Sequence, residues 1–326
     1  MHYSVRHITR FHYSLPITES LTELRMQPTT DGQQVCRSFE LNLNPRAAVT
    51  THPDHFGNIV HHFDVPKPHG QLIIAAKSLV EVMPFPEIQE RLPESAWDEL
   101  DAAVDEEDLY EMLMPSRFTH ATTLLIELGK ELNMVRRDDP LTVLRQLNTA
   151  IYDRFAYEPQ ATQVDSTIDD ALTCLSGVCQ DYAHVMLTIM RQLLRIPSRY
   201  VSGYLFHRED ANDRSAVDAT HAWVEGYLPR LGWVGFDPTN NLVAAERHIR
   251  VAVGRDYSDV PPTRGVHKGS ATSELSVAVQ VAPADAPVVE IKPVGVSVWS
   301  PAQNAESVSA RIDHHRQMQQ QQQQQQ

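Results

Sequence analysis

Long apolar runs are missing from this 326-residue chain. No stretch approaches the roughly 18 uninterrupted apolar residues that a membrane-spanning helix needs. Cysteine is scarce: Cys36, Cys174 and Cys179 are the only three. An odd number in a chain this long makes no disulfide framework, and the default address is a reducing cytoplasm, where a cysteine is buried or catalytic rather than bridged. Basic charge is in deficit. Twenty-eight Lys and Arg against 42 Asp and Glu leave a formal net charge of −14, whereas nonspecific binding to nucleic acid or anionic membrane needs a basic face. The opening Met1-His2-Tyr3-Ser4-Val5-Arg6-His7 has no apolar signal-peptide core and reads as a strand. The expectation is a cytoplasmic chain with neither nucleic acid nor membrane as partner, and with 42% hydrophobic residues it has ample core for one large domain or two ordinary ones.

What is there begins with β pattern. Tyr3, Val5, His7, Thr9, Phe11 and Tyr13 alternate with polar or opposite-facing neighbours, the two-residue period of a half-buried strand. Similar runs occupy Ser38 to Leu43, Ile59 to Val65 and Leu72 to Val82, separated by the turn signals Asp31-Gly32, Asn44-Pro45 and Phe56-Gly57-Asn58. Short strands at this spacing predict a small sandwich or barrel. The segment from Glu87 to Glu111 then holds eleven acids and one base, Arg91. It carries −10 of the net charge and reads as a solvated linker or short exposed helix in preference to a docking patch.

Helices follow. Leu124, Leu128 and Leu132 recur every four residues; Asp139-Pro140 is an N-cap with proline in the first turn, and Leu144, Leu147, Ile151 and Phe155 mark the buried stripe behind it. A third helix is predicted from Cys179 to before Pro197, with Tyr182, Met186, Ile189 and Leu193 inward. Strands are expected at Arg199 to Phe206, His221 to Leu228 and Trp233 to Asp237, the last two joined as a hairpin by Pro229-Arg230-Leu231-Gly232, and one more at Leu275 to Val281.

Chemistry concentrates in residues 176–241. Ser176-Gly177-Val178-Cys179 sets a thiol at the start of a helix, where unpaired backbone N–H groups and the positive end of the macrodipole favour thiolate. Taken alone, Cys179 divides between a buried structural thiol and a nucleophile. Downstream, Thr220-His221-Ala222-Trp223-Val224-Glu225 puts a histidine in one strand, and Gly232-Trp233-Val234-Gly235-Phe236-Asp237 ends the next in an aspartate. The hairpin brings His221 and Asp237 to its open end, where a small register adjustment or bulge lets the carboxylate meet one imidazole nitrogen while the other faces Cys179. A thiolate, a base and a group orienting the base are the three parts of an activated-nucleophile site.

These residues resemble a known family. Gly177-Val178-Cys179-Gln180-Asp181-Tyr182, Arg195 to Tyr204, His221-Ala222-Trp223-Val224-Glu225, Gly232 to Asn240 and His248 to Tyr257 are similar to motifs of the bacterial transglutaminase-like proteins, and the resemblance extends over the N-terminal β region, from Met1 to about Gly269. It implies an α+β, papain-like transglutaminase-core fold preceded by a small all-β domain. By position it makes Cys179 the nucleophile, His221 the general base and acid, and Asp237 the orienting carboxylate. The implied reaction is acyl transfer on a carboxamide or peptide carbonyl through a thioester, with a protein or peptide substrate and an amine or water as acceptor. The tetrahedral oxyanion needs donors: the Cys179 backbone N–H is the first, and Tyr157 or Gln160 are candidates for the second. Gln180-Asp181 departs from the pattern of the animal cross-linking enzymes, and no Asp-x-Asp-x-Asp-Gly calcium loop is present, so calcium-activated cross-linking is not carried over. The alternatives are a non-catalytic binding module that keeps the fold, or an arylamine-type acyltransferase.

On this basis the chain divides into a β domain over residues 1–86, an acidic connector over 87–116, a core over 117–282 that includes the C-terminal strand, and a mostly disordered tail over 283–326 closing with eight glutamines. No cofactor and no metal are expected. Among the 16 histidines, the close pairs His52 with His55, His61-His62 and His314-His315 lack a cysteine pair or an HExxH frame. Asp181 is read as stabilising the helix dipole, with tuning of the cysteine as the alternative. Trp223 packs against the cleft or core, or floors the substrate groove. Arg199 is read as a structural partner, and Cys36 as a buried thiol.

Overall fold

The computed structural model describes residues 1–84, 88–106, 109–284 and 294–296. The N-terminal region forms six strands, β1 (His2–Ile17), β2 (Glu19–Leu24), β3 (Gln34–Asn44), β4 (Val49–Pro53), β5 (Ile59–Val65) and β6 (His69–Val82). Alternation along β1 sends Tyr3, Val5, His7 and Thr9 inward, as the sequence pattern predicts. The helical segments are α1 (Ala96–Glu106), α2 (Thr123–Glu131), α3 (Pro140–Arg154), α4 (Ile168–Cys174) and α5 (Cys179–Gln192), with short strands β7 (Ala156–Tyr157) and β8 (Ser176–Gly177) between them. Strands β9 (Ser198–Leu205), β10 (His221–Leu228), β11 (Gly232–Asp237), β12 (Leu242–Val243) and β13 (His248–Gly254) make one antiparallel sheet in the order β12-β11-β10-β9-β13.

The chain then returns to the N-terminal region. β14 (Thr263–Lys268) pairs with β2, and β15 (Ser273–Pro283) pairs with β1 over Tyr3↔Pro283 to Tyr13↔Ser273. The sandwich therefore consists of a sheet β16-β15-β1-β6-β3, with β16 at Val294–Val296, facing a sheet β14-β2-β5-β4. Between them lies an apolar core of Tyr13, Ile17, Leu24, Met26, Phe63, Val65, Leu72 and Ile74. Two expectations change here. The C-terminal strand belongs to the β region and not to the core, because alternation specifies a half-buried strand without naming its neighbour. Residues 294–296 of the expected tail form a strand; its remainder beyond Ala284, polyglutamine included, lies outside the described residues.

The acidic connector, expected as a solvated linker or short exposed helix, does contain a helix, but one with a buried face. α1 buries Ala96 and Leu100 in the main core, and the Trp97 indole Nε1 donates to the Asp138 carbonyl at 2.6 Å. Two of its acids are paired outward: Arg136 grips Asp101 at 2.8 and 2.9 Å, and Arg230 holds Glu99. Glu87, Glu107 and Asp108 lie outside the described residues. On α2 the inward residues are Leu125 and Leu128, with Leu132 packed against the core beyond them, while Leu124 is exposed, so of the expected stripe only the first member is displaced, by one position to Leu125. On α3 the Asp139 carboxylate caps the Leu141 and Thr142 N–H groups, as its N-cap position predicts.

The decisive element is α5. An amphipathic helix with one inner face was expected, yet every residue from Gln180 to Arg191 is buried. The helix is enclosed by α2, α3 and α4 on one side and by β9 and β10 on the other. A helix buried all round must satisfy its polar side chains internally. Tyr182 Oη donates to the Phe155 carbonyl at 2.9 Å, Thr188 Oγ1 to the His184 carbonyl at 2.7 Å, and the Arg191 guanidinium to Ser198 O, Thr119 Oγ1 and Arg255 O. Each buried aliphatic side chain contributes about 1.5–3 kcal/mol, so the helix, and with it the N-terminus carrying Cys179, is held rigidly.

Candidate active site

Cys179 is the first residue of α5, half-buried, after an extended Val178 at the N-cap. Asp181 closes this end: its Oδ2 accepts from the Val178 N–H at 2.8 Å and from Thr162 Oγ1 at 2.6 Å. It is thus a capping residue, in keeping with the dipole reading, and it also ties the helix start to the loop after β7. Gln180 does the same through Nε2, which donates to the Val164 carbonyl at 3.0 Å. The Cys179 N–H, at the first helical position, has no intrahelical acceptor.

The β10–β11 pair has the register Val224↔Phe236, Glu225↔Gly235 and onward to Leu228↔Gly232. Continuing it one step sets Asp237 opposite Trp223, with His221 two residues along on the same face. They are diagonal neighbours, so the expected bulge is not needed. His221 Nε2 donates to Asp237 Oδ2 at 2.7 Å, with both side chains shut away from water. His221 Nδ1 is buried without a hydrogen-bond partner. Burial works against the imidazolium, but the Asp237 carboxylate, with the Cys179 sulfur adding to it, carries His221 up to about 10.

Asp237 is unusually well supplied with donors. Besides His221, Oδ2 accepts from His248 Nε2 at 3.1 Å and Asn240 Nδ2 at 2.9 Å, while Oδ1 accepts from the Thr239 and Asn240 N–H groups at 3.1 and 3.2 Å. Burial opposes its charge, yet His221 and these hydrogen bonds hold the carboxyl far below the usual range. Asn240 is itself fixed, donating to Ser215 Oγ at 3.0 Å and accepting from the Arg214 and Ser215 N–H groups. The nitrogens of His221 and His248 and the carboxylate of Asp237 lie within 4.8 Å of one another. Their contacts of 2.7 and 3.1 Å are hydrogen-bond separations, shorter than the about 3.3 Å between ligand atoms that a tetrahedral ion with ~2.0–2.1 Å bonds imposes. As folded, the trio is a hydrogen-bonded set.

Trp223 stands behind the imidazoles. It stacks on His221 with centroids 6.0 Å apart, meets His248 edge-on at 5.1 Å, and is 2% exposed. It is packing, and no groove floor. Room for it depends on Gly203 and Gly235: a Cβ on Gly203 would lie 2.2 Å from the Ile249 carbonyl oxygen, and one on Gly235 2.5 Å from Ala244 Cβ. Arg199 is a structural partner as expected, bound to buried Glu225 at 2.6 Å. Arg250 takes the other oxygen of Glu225 at 2.7 Å and reaches Asp31 in the sandwich, clamping the two regions together. Cys36 is half-buried, less enclosed than expected.

Of the two oxyanion candidates, Tyr157 is near the site. β7 pairs with β8 so that Tyr157 faces Gly177. Its hydroxyl accepts from the Ala216 N–H at 3.3 Å, and burial together with the Cys179 charge pushes the phenol up to about 12. An open groove of about 570 Å³, lined by Arg154, Phe155, Tyr157, Leu175 and Arg214 among others, runs beside it. Gln160 is exposed in the turn beyond, and no hydrogen bond links it to Cys179, His221 or Asp237. His248 and Asn240 complete the cluster without having been singled out in the sequence. The only signal for them was their place in the Gly232–Asn240 and His248–Tyr257 motifs.

Comparison with known proteins agrees with this architecture. Residues 3–81 match the bacterial transglutaminase-like N-terminal region, and residues 132–238 match the transglutaminase-like superfamily core. An uncharacterized protein of Mycobacterium leprae, ML0607, is 32% identical over 278 residues, covering 85% of this chain and 97% of that protein. A protein-glutamine gamma-glutamyltransferase of Pseudomonas aeruginosa is 34% identical over 134 residues, covering 37% of this chain and 18% of that protein. The crystal structure of a candidate cysteine protease from Cytophaga hutchinsonii superposes with a TM-score of 0.68 at 20% identity, covering 90% of this chain and 93% of that one. Among the described residues, no helix is long and apolar enough to cross a membrane. With both regions matched in order along the chain and a relative matched over nearly its whole length, the chain belongs to the bacterial transglutaminase-like family.

Proposed function

We propose that the protein is a cysteine-dependent acyl-transfer enzyme acting on a carboxamide or peptide carbonyl, with Cys179 as nucleophile, His221 as general base and acid, and Asp237 as the orienting carboxylate. The observation that carries this is the buried His221–Asp237 hydrogen bond through Nε2, which leaves Nδ1 unpaired and the imidazole under the influence of Cys179 at the N-terminus of α5. The Cys179 sulfur attacks the carbonyl carbon, and the oxyanion that forms is met by the Cys179 N–H, with the Tyr157 hydroxyl as second donor. His221 gives its proton to the leaving nitrogen, ammonia or an amine departs, and a thioester remains. An acceptor amine or water, deprotonated by His221, then attacks the thioester and regenerates the thiolate.

The partial match to a protein-glutamine gamma-glutamyltransferase favours an amide-bearing protein or peptide as acyl donor, and the groove beside Tyr157 offers it an approach. The three unpaired cysteines agree with a reducing compartment. The test is intact-mass detection of an acyl adduct on Cys179 with an amide-bearing peptide library. Wild type should show the adduct and Cys179→Ala should not, at unchanged melting temperature. Equal turnover by both sinks the proposal. Offering a primary amine and water together separates transferase from hydrolase.

A further inference from the structure

The His248–Tyr257 motif is not used by the three proposed catalytic residues, yet its first residue reaches Asp237. In the core sheet β10 and β9 lie between β11 and β13, so this contact is set by tertiary structure. The Ala245 N–H donates to His248 Nδ1 at 3.3 Å. A nitrogen that accepts carries no proton, so the ring is neutral and its one proton sits on Nε2, 3.1 Å from Asp237 Oδ2. The same carboxylate oxygen receives His221. His248 is buried and its ring is braced edge-on by Trp223. Behind it is a cavity of about 40 Å³ lined by Gln33, Gln34 and Met83 of the sandwich together with Glu225 and Arg250 of the core.

We propose that His248 is a positioning residue for the acyl-transfer site: a neutral imidazole that donates from Nε2 to Asp237, fixing the carboxylate so that it engages His221 and leaves His221 Nδ1 directed at Cys179. The proposal rests on the acyl-transfer reading above. Asp237 Oδ2 serves three donors, His221 on β10, Asn240 just beyond β11 and His248 on β13, and His248 is the one that braces the carboxylate from a strand other than that of His221. The ionisable groups that act on His248 are Asp237, His221 and Arg247, with Glu225 and Arg250 across the cavity. Burial lowers its proton affinity, in keeping with a ring that stays neutral beside an ionised carboxylate.

The experiment is the rate of Cys179 alkylation by iodoacetamide, followed by intact mass at pH 6 and pH 9 on the full chain. His248→Phe keeps a ring and removes the donor; His248→Gln supplies an amide N–H in its place. Loss of positioning lowers the pH 6 rate relative to the pH 9 rate by about tenfold in His248→Phe, and His248→Gln recovers most of that ratio. A folded His248→Phe with the wild-type ratio overturns the proposal. So does a fall in both rates that tracks melting temperature and leaves their ratio unchanged. Should His248→Phe not fold, nitrogen-15 spectra of the wild-type imidazoles decide: a neutral Nε2–H ring for His248 from pH 6 to 9 supports the proposal, and an Nδ1–H ring or an imidazolium overturns it. If wild type and His221→Ala alkylate alike, the acyl-transfer reading itself fails, an outcome distinct from failure at His248.

Discussion

His7, at the seam between the sandwich and the core sheet, and His221, at the end of that sheet, are both cut off from water, but their proton affinities move in opposite directions. His7 Nδ1 meets Tyr204 Oη at 2.9 Å and its Nε2 meets Thr9 Oγ1 at 3.1 Å. Its partners are neutral, and burial pushes it down to about 4. His221 bears the same desolvation, yet Asp237 carries it up to about 10. Burial alone makes an imidazole a structural hydrogen-bonding ring; burial beside one ionised carboxylate makes it a proton carrier.

Removing that carboxylate's charge is the sharpest way to break the contrast. Asp237→Asn should lower acyl-transfer turnover by about 10³–10⁴-fold, the scale seen when a triad histidine loses its orienting carboxylate. It should also change the pH dependence of stability. His221 has its folded pKa raised above the unfolded value of 6.5, so its contribution is full below pH 6.5 and is lost as pH rises toward 10. Urea titrations between pH 6.5 and 10 should show this decline in wild type and a flatter curve in Asp237→Asn. An unchanged slope would sever the link between Asp237 and His221.

Next in size is Gly203→Ala, which drives a Cβ into the Ile249 carbonyl oxygen and against the Trp223 ring behind the His221 and His248 imidazoles. It should cost about 3 kcal/mol in denaturant unfolding; a wild-type midpoint would mean that the sheet yields there freely. His7→Gln probes the other side of the comparison. With its folded pKa pushed below 6.5, His7 favours the native state fully above pH 6.5, and about 3 kcal/mol of that is lost as pH falls to about 4. The variant should flatten the acid limb of the stability curve while Cys179 alkylation keeps its wild-type rate, and retention of the full limb would refute the assignment. Smallest of all, Glu99→Gln removes the charged partner of exposed Arg230 and should leave the melting temperature almost unmoved, since ion pairs at the surface add little.

Much of this architecture was legible before any coordinates. The alternation of β1, the Asp139-Pro140 helix start and the β10–β11 hairpin are local signals, written within a few residues of where they act. Cys179, His221 and Asp237 were readable for the same reason, a thiol at a helix start and two residues on one hairpin. Leu124 was misplaced because a four-residue recurrence among leucines tolerates a shift of one position when Leu125 is also apolar. The acidic segment hid a packed helix, since eleven acids obscure a stripe as short as Ala96, Leu100 and Val104.

By itself, then, the sequence determined the types of the elements that carry the candidate site and the places of Cys179, His221 and Asp237 on them, because dihedral preference, side-chain period and helix-end electrostatics act over short distances along the chain. Only the tertiary structure decided that β15 closes the sandwich against β1, that α5 is enclosed on all sides, and that His248 on β13 reaches Asp237 on β11. Those outcomes depend on which elements, apart in the sequence or in the sheet order, pack together. Hydrophobic pattern does not encode that choice; it is made when packing brings the partners within hydrogen-bonding distance in a site closed to water.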